Sequence, residues 1–198
     1  FAEMNLHYMG KTMMIKLFAD GADKKGMLEM YENPRIDGFT TNPTLMRKAG
    51  VTNYVGFARE ILQAIPDKPV SFEVFADEFD EMERQARLIA TWGSNVFVKI
   101  PVMNTRREPS FELVSKLSRE GVQLNITAIL SLEQVSGVAE ALRGGVSAFV
   151  SVFAGRIADT GLDPLPLMQS AMEALKPVPN AELLWASPRE VLNVYQAE

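Results

Sequence analysis

The sequence has no cysteine and a single histidine, His7, and both shortages restrict its chemistry. A chain without cysteine has neither disulfides nor thiolate nucleophiles, which is compatible with a reducing compartment, so we expect a cytoplasmic location. One histidine is too few for a histidine-based catalytic triad or for a metal site built from several histidines. Any catalysis therefore has to come from other polar side chains.

The chain also lacks an excess of positive charge and any long apolar run. Its net charge is −5, which argues against a nucleic-acid partner. No apolar stretch approaches the roughly 18 residues of a membrane span, so no membrane partner is expected. Its 198 residues, of which 47% are hydrophobic and 23% charged, suit one globular domain with a sizeable core.

The first residues do not share the regular pattern of the rest. They lack the apolar centre of a signal peptide, and the pattern begins only after Met14, a candidate natural start. We therefore assign residues 1–13 to an extension, either native or artificially added, and residues 14–198 to a single domain.

Seven short β-rich runs alternate with longer segments of helical periodicity. The predicted strands are Ile15–Ala19, Ile36–Thr40, Val70–Phe75, Asn95–Pro101, Val122–Ile126, Val146–Val152 and Glu182–Ala186. This alternation indicates a parallel sheet covered by helices. The first turn, 20–23, lacks the glycine-rich fingerprint of a doubly wound sheet, so a (β/α)8 TIM barrel is favoured. The chain ends at Glu198 without an eighth unit, so we expect a missing or truncated C-terminus.

Lys99 stands near the end of the apolar run Val96–Pro101. Burial disfavours the ammonium form, which would lower the pKa of this lysine and make its amine available as a nucleophile. The alternative is a lysine that simply reaches solvent from a strand end.

Polar residues close each predicted strand, where barrel enzymes build their active sites. The candidates are Asp20, Thr40, Thr41, Asn42, Glu73, Lys99, Asn125, Thr127, Ser151 and Ser187. Such residues also cap the helices that follow strands, and we expect Thr44 and Asp77 to be caps only. Capping does not explain Glu73 or Lys99, which interrupt runs that should be apolar on both faces. A carboxylate and an amine in one lumen indicate acid–base chemistry beside an imine-forming lysine.

Two arginines follow the last two predicted strands and indicate an anion site. Gly155 precedes Arg156, and Ser187 precedes Arg189. Glycine allows the backbone to approach a ligand, and arginine supplies charge-assisted donors, so phosphate is the expected anion. The alternative for each arginine is a solvated surface residue.

Several of these segments resemble motifs of the transaldolase family, in the small branch that also contains fructose-6-phosphate aldolase. The similar segments are Gly38–Thr44 (GFTTNPT), Val98–Pro101 (VKIP), Leu124–Thr127 (LNIT), Ser151–Ile157 (SVFAGRI) and Leu184–Ser187 (LWAS). They occur in order between Ile15 and Glu198. Val152 and Ala154 depart from the proline and valine of the family pattern, and the segment Met103–Pro109 is unlike the usual loop.

The resemblance implies a (β/α)8 barrel and a class I aldolase mechanism that needs no metal or other cofactor. It makes Lys99 the Schiff-base lysine and Asp20 the base at the bond that is cleaved. Glu73 and Thr127 would hold the water that carries protons. The remaining implied roles are substrate binding by Thr41, Asn42, Asn125, Ser151 and Phe153, and phosphate binding by Arg156, Ser187 and Arg189.

Two positions bear on the activity within this branch. The resemblance associates Glu73 and Phe153 with transaldolase, and Gln and Tyr at these places with fructose-6-phosphate aldolase. We therefore expect a transaldolase of the pentose phosphate pathway that acts on sugar phosphates, with the aldolase as the alternative. A barrel that binds sugar phosphate without catalysis is a third reading. The resemblance also implies a homo-oligomer.

Overall fold

Strands and helices alternate from residue 15 onward in a computed structural model that describes residues 2–6 and 15–198. The strands are β1 (Ala2–Leu6), β2 (Ile15–Asp20), β3 (Ile36–Thr40), β4 (Val70–Glu73), β5 (Val96–Pro101), β6 (Leu124–Ile129), β7 (Ala148–Val152) and β8 (Ala181–Trp185). The helices are α1 (Lys24–Tyr31), α2 (Pro43–Lys48), α3 (Tyr54–Ala64), α4 (Phe79–Ala90), α5 (Phe111–Arg119), α6 (Leu132–Ala141), α7 (Ala154–Asp159), α8 (Leu165–Leu175) and α9 (Leu192–Ala197).

The strands β2 to β8 pair in chain order and run parallel, because helices return the chain between them. Within the described residues this gives seven parallel strands of a TIM-type barrel, which confirms the predicted fold class. The place between β8 and β2, where a (β/α)8 barrel has its eighth parallel strand, is taken by β1. This strand pairs antiparallel with both neighbours and closes the barrel.

β1 lies within residues 1–13, which the sequence assigns to an extension. The rest of that segment, including His7, lies outside the described residues, as does the candidate start Met14. The assignment of residues 14–198 to one domain stays a prediction.

Some local predictions were wrong. Asp77 does not cap α4, which begins after Glu78; its carboxylate instead accepts hydrogen bonds from the backbone N–H and the hydroxyl of Thr105. Thr44 lies inside α2, whose cap is Asn42. The short helix α7 was not predicted, because six residues show too little periodicity.

The core has two parts, as expected for strands buried on both faces. Most buried apolar side chains lie between the strands and the helices. A smaller cluster of buried residues fills the lumen and consists of Phe18, Phe97, Phe149, Leu184 and Ala186. Phe149 packs edge-to-face on Phe18, with 5.1 Å between ring centroids, and lies 4.3 Å from the ring of Phe97. These rings close the lumen below its C-terminal end.

No helix in the part of the chain that the structure describes has both the length and the apolar character needed to cross a bilayer.

Candidate active site

A polar layer lies directly above the aromatic rings in the lumen. Side chains two residues apart on a strand share a face and are separated by roughly 6.6 Å along it. Asp20, Lys99 and Ser151 each follow a lumen phenylalanine by two residues, on β2, β5 and β7 respectively. The period of the strands therefore places these three polar side chains at one level, toward the carboxyl ends where TIM-barrel enzymes carry their active sites.

Lys99 is buried in this layer, with 3% of its surface exposed. Its Nζ lies 3.9 Å from Glu73 Oε2, and it donates to the carbonyl oxygen of Thr41 over 3.4 Å. Glu73 stands opposite Lys99 in the β4–β5 register, so the sheet itself holds this carboxylate beside the amine.

Asp20 completes a group of two carboxyls around the lysine. Its Oδ1 accepts a hydrogen bond of 2.9 Å from the hydroxyl of Thr40 on the neighbouring strand. Burial raises the pKa of Asp20 above its usual value, and the charge of Lys99 and the Thr40 hydrogen bond partly offset this. Burial also raises the pKa of Glu73. The charge of Lys99 lowers this pKa in part, and the charge of Asp20 raises it further. Both carboxylates are therefore stronger bases than a solvated carboxylate, as acid–base catalysis requires.

Asn125 links three strands across the lumen. Its Nδ2 donates to Ser71 Oγ over 3.0 Å, and its Oδ1 accepts from Ser151 Oγ over 2.7 Å. All three residues are fully buried. Sequence reasoning named Asn125 and Ser151 but missed Ser71, although its place two residues before Glu73 puts it on the same face of β4.

Thr127 follows Asn125 on β6 and is 2% exposed. Its Oγ1 is buried without a hydrogen-bond partner among the described residues. A buried hydroxyl normally has a partner, because leaving it unpaired costs free energy. The hydroxyl of Thr127 is thus available to bind a water molecule or a substrate oxygen.

Thr41 and Asn42 are partly committed to the scaffold. The hydroxyl of Thr41 donates to the carbonyl oxygen of Ser71 over 2.9 Å. The Asn42 side chain accepts from the backbone N–H of Leu45 and so caps α2. These contacts fix the end of β3 and the start of α2 beside Lys99.

Tyr54 supports the site from outside the lumen, and sequence reasoning missed it. Its hydroxyl donates to the backbone oxygen of Glu73 over 2.9 Å, and its ring packs edge-to-face on Phe72 and Trp92. No sequence signal links Tyr54 to Glu73, because their contact depends on how α3 packs against β4.

The two arginines of the predicted anion site converge on one carboxylate, Asp159, at the end of α7. Arg189 forms a bidentate pair with Asp159 and also donates to the backbone oxygen of Ser187. Arg156 NH1 lies 3.7 Å from the same carboxylate. The hydrogen bonds from Arg189 hold the pKa of Asp159 below its usual value, so this carboxylate is ionised and balances one arginine.

Phe153 and Gly155 connect the anion-site segment to the rest of the site. The Phe153 ring packs against the cluster of buried residues that fills the lumen. Gly155 lies so close to the backbone of Ser187 that an added Cβ would stand 1.6 Å from its carbonyl oxygen. The structure thus places the residues of the predicted phosphate site on adjoining segments after β7 and β8.

A cavity of about 630 Å³ lies beside Asp20, between β2, α1 and α2. Its lining is mostly apolar, including Met27, Ile36 and Leu45, and Lys99 does not contribute to it. A sugar needs hydrogen-bonding partners, so the polar layer in the lumen suits it better than this cavity.

Comparison with known proteins identifies the family. The model of the family described as transaldolase/fructose-6-phosphate aldolase matches residues 17–198. A probable transaldolase of Dehalococcoides mccartyi is 36% identical over 184 residues, which are 92% of this chain and 82% of the relative. A probable transaldolase of Herpetosiphon aurantiacus is 35% identical over 92% of this chain and 79% of the relative. One from Streptococcus agalactiae is 38% identical over 78% of this chain and 67% of the relative.

The fold agrees with these matches, since the matched range runs from within β2 to α9, and the lysine, both carboxyls and both arginines lie within it. The family implies sugar phosphate substrates and an enzyme of the aldolase or transaldolase type. On this evidence, the chain belongs to the transaldolase/fructose-6-phosphate aldolase family.

Proposed function

We propose that the protein is a transaldolase that transfers a dihydroxyacetone unit between sugar phosphates through a Schiff base on Lys99. The observation that carries this proposal is the buried Lys99 amine with the carboxylate of Glu73 3.9 Å away and that of Asp20 in the same polar layer. Acid–base groups beside a desolvated amine are what imine formation requires.

Imine formation begins when neutral Lys99 attacks C2 of a ketose phosphate and forms a carbinolamine. The C2 hydroxyl then leaves as water, after receiving a proton through a water molecule held by Glu73 and Thr127. The product is a protonated imine, which can accept an electron pair from the neighbouring carbon.

Cleavage follows from the charge of this imine. Asp20 takes the proton of the C4 hydroxyl, the C3–C4 bond breaks, and its electron pair moves toward the imine nitrogen. An aldose phosphate leaves, and the three-carbon enamine stays on Lys99. A second aldose phosphate accepts the enamine carbon, Asp20 returns its proton to the new hydroxyl, and water releases the product ketose.

The side chains around the lysine would hold the three-carbon unit and the phosphate. Asn125 and Ser151 present polar groups to the hydroxyls of the dihydroxyacetone unit, with Thr41, Asn42 and Phe153 at the edge of the layer. Arg156, Ser187 and Arg189 would bind the phosphate of either aldose. The absence of cysteine and the family resemblance support a cytoplasmic homo-oligomer in the pentose phosphate pathway.

The second candidate is a fructose-6-phosphate aldolase, since the family includes both activities. It would use the same imine but release free dihydroxyacetone after protonation of the enamine. Glu73 and Phe153 stand where the aldolase pattern has Gln and Tyr, which favours transaldolase.

Borohydride trapping tests the imine. Wild-type protein incubated with fructose 6-phosphate and borohydride should gain a three-carbon adduct on Lys99, mapped by mass spectrometry. Lys99→Ala should give no adduct and no turnover, whereas Lys25→Ala, which removes an exposed lysine on α1, should behave like wild type. Binding of fructose 6-phosphate with an unmodified Lys99 would instead support a barrel that only binds sugar phosphate.

Product analysis separates the two activities. A transaldolase should form product only when an aldose phosphate acceptor is present, whereas an aldolase should release dihydroxyacetone without one. The double substitution Glu73→Gln with Phe153→Tyr should shift the protein toward acceptor-independent cleavage. Release of dihydroxyacetone by wild type at the full rate without acceptor would establish the aldolase instead.

A further inference from the structure

β6 contains a β-bulge shortly after Asn125, the residue that pairs with Lys99. Ile126 stands opposite Val150 on β7, and Ile129 stands opposite Val152. Between these pairs β6 has two residues, Thr127 and Ala128, where β7 has one. Bulges of this kind occur next to active sites, where they redirect a side chain.

Ala128 makes the bulge by adopting a left-handed backbone conformation, with φ of 62°. This conformation is unfavourable for a residue with a Cβ, and alanine gains no hydrogen bond from its side chain in return. Among the described residues other than glycine, Arg107 and Ser187 also have positive φ, but both lie in loops. Of these three residues with positive φ, Ala128 is the one that lies inside a strand, β6.

The bulge decides which side chains of β6 face the lumen. Strict alternation from Asn125 would place both Thr127 and Ile129 on the lumen face. Instead Ile129 is fully buried among the apolar residues that pack under the helices. The lumen face of β6 therefore ends at Thr127, and the buried Thr127 hydroxyl is left without a partner among the described residues.

We propose that Ala128 is a positioning residue, whose left-handed bulge holds the hydroxyl of Thr127 toward the atoms that react on Lys99. The register supports this, since Lys99 stands opposite Asn125 and Pro101 opposite Thr127, so Thr127 lies one lumen-facing position beyond Asn125 toward the carboxyl ends of the strands. The inference rests on the proposed function: Thr127 assists the loss of the C2 hydroxyl as water and the reverse addition of water.

Exchange of the carbonyl oxygen measures that step directly. Each cycle of imine formation and hydrolysis replaces the C2 oxygen of fructose 6-phosphate with one from solvent, so ¹⁸O-labelled water reports the rate by mass spectrometry. Ala128→Val should lower the exchange rate by about tenfold or more, because a β-branched residue disfavours the left-handed conformation and misplaces an acid–base group. Ala128→Gly and Ala128→Asn should stay near the wild-type rate, since both residues tolerate positive φ.

Controls separate positioning from damage to the fold. Arg107→Val places the same residue type at a similar φ of 65° in an exposed loop and should leave exchange unchanged. Thermal unfolding and circular dichroism show whether each variant folds. If Ala128→Val does not fold, Ala128→Leu, which is unbranched at Cβ, takes its place.

The double substitution decides the question. If Ala128 acts through Thr127, Ala128→Val added to Thr127→Val should lower exchange no further than Thr127→Val alone. Multiplying effects, or wild-type exchange in a folded Ala128→Val variant, would overturn the inference. Wild-type protein that neither exchanges the oxygen nor gives a trapped adduct would overturn the proposed function, and with it this inference.

Discussion

Asp20 and Glu73 share the lumen with Lys99 at a cost to stability. Because burial raises the pKa of both carboxyls above 3.8 and 4.5 respectively, the folded protein binds their protons more tightly than the unfolded chain does. Their contribution to stability is fully present below the unfolded pKa values and is lost as the pH rises through the raised ones. At neutral pH both ionised groups therefore destabilise the fold.

Asp20→Asn tests this balance. It should raise the free energy of unfolding at pH 7, and the gain should disappear below about pH 3.8, where the unfolded aspartate is itself protonated. The same substitution should abolish C–C cleavage. Denaturant unfolding at a series of pH values checks the first part; Asp163→Asn, at an exposed position, is the control. A destabilised Asp20→Asn variant at pH 7 would show that attraction to the charge of Lys99 outweighs the effect of burial.

The acid limb of the pH–rate profile should reflect the same shift. Since the proposed mechanism needs Asp20 and Glu73 ionised, kcat/KM should start to fall at a pH above the usual pKa values of these groups as the solution is acidified. A profile that stays flat down to pH 4 would contradict the raised pKa values.

The two arginines are not equivalent. Asp159 engages Arg189 through two hydrogen bonds, whereas Arg156 lies 3.7 Å from that carboxylate. Arg156 is therefore the more available donor.

Arg156→Ala should raise KM for fructose 6-phosphate by about tenfold, the loss of one charged hydrogen bond, with little change in kcat. Arg189→Ala should have a smaller effect, because the Arg189 guanidinium is already engaged by Asp159 and is less available to a phosphate. Steady-state kinetics, with unphosphorylated fructose as the control, ranks the two; the reverse order would refute this assignment.

Among single residues, the site could be predicted where strand period alone decides the position. Asp20, Glu73, Lys99, Asn125 and Ser151 follow from polar residues at strand ends that share a face. Ser71 escaped notice because one serine in a strand is unremarkable by composition. Asp159 escaped because its role depends on two arginines from different segments meeting at its carboxylate.

At the scale of elements, α7 and the turn after β8 form one packed unit. The N–H of Gly155 donates to the carbonyl oxygen of Ala186, and no room is left for a side chain between Gly155 and Ser187. The turn that carries Ser187 and Arg189 is thereby fixed against the start of α7, which carries Arg156. Neither element could be placed from the sequence, because α7 is short and its packing partner is distant.

Gly155→Ala should disturb both arginines. The added Cβ would overlap the Ser187 backbone, so we expect a loss of about 1–3 kcal/mol in the free energy of unfolding and a higher KM for phosphorylated substrates. Gly21→Ala is the matched control for stability, since its Cβ would meet nothing nearer than Met27 Cγ at 3.9 Å. Equal stability of the two variants would contradict the close packing.

At the scale of the whole molecule, alternation of strands and helices predicted the parallel barrel correctly. Closure by β1 could not be predicted, because residues 2–6 read as an extension and their pairing depends on two strands distant from each other in the chain, β2 and β8. Local patterns predict which segments form strands, whereas closure is a property of the assembled sheet.

The aromatic layer in the lumen separates the two ends of the barrel. Phe18, Phe97 and Phe149 are each no more than 6% exposed. From the far end, a cavity of about 330 Å³ reaches the same three rings and stops there. Within the part of the chain that the structure describes, these rings therefore separate the polar layer from the far end of the lumen.

Because the aromatic rings block the far end of the lumen, substrates and products share the entrance at the carboxyl ends of the strands. In the proposed transfer reaction, the aldose product has to leave the lumen before the acceptor can enter from the same end, so the two half-reactions should follow ping-pong kinetics. Initial rates measured at several fixed acceptor concentrations should then give parallel double-reciprocal lines, and intersecting lines would mean that both sugars occupy the chamber together. Phe18, Phe97 and Phe149 take part in no chemical step, but they would in this way determine the order in which products leave and substrates bind.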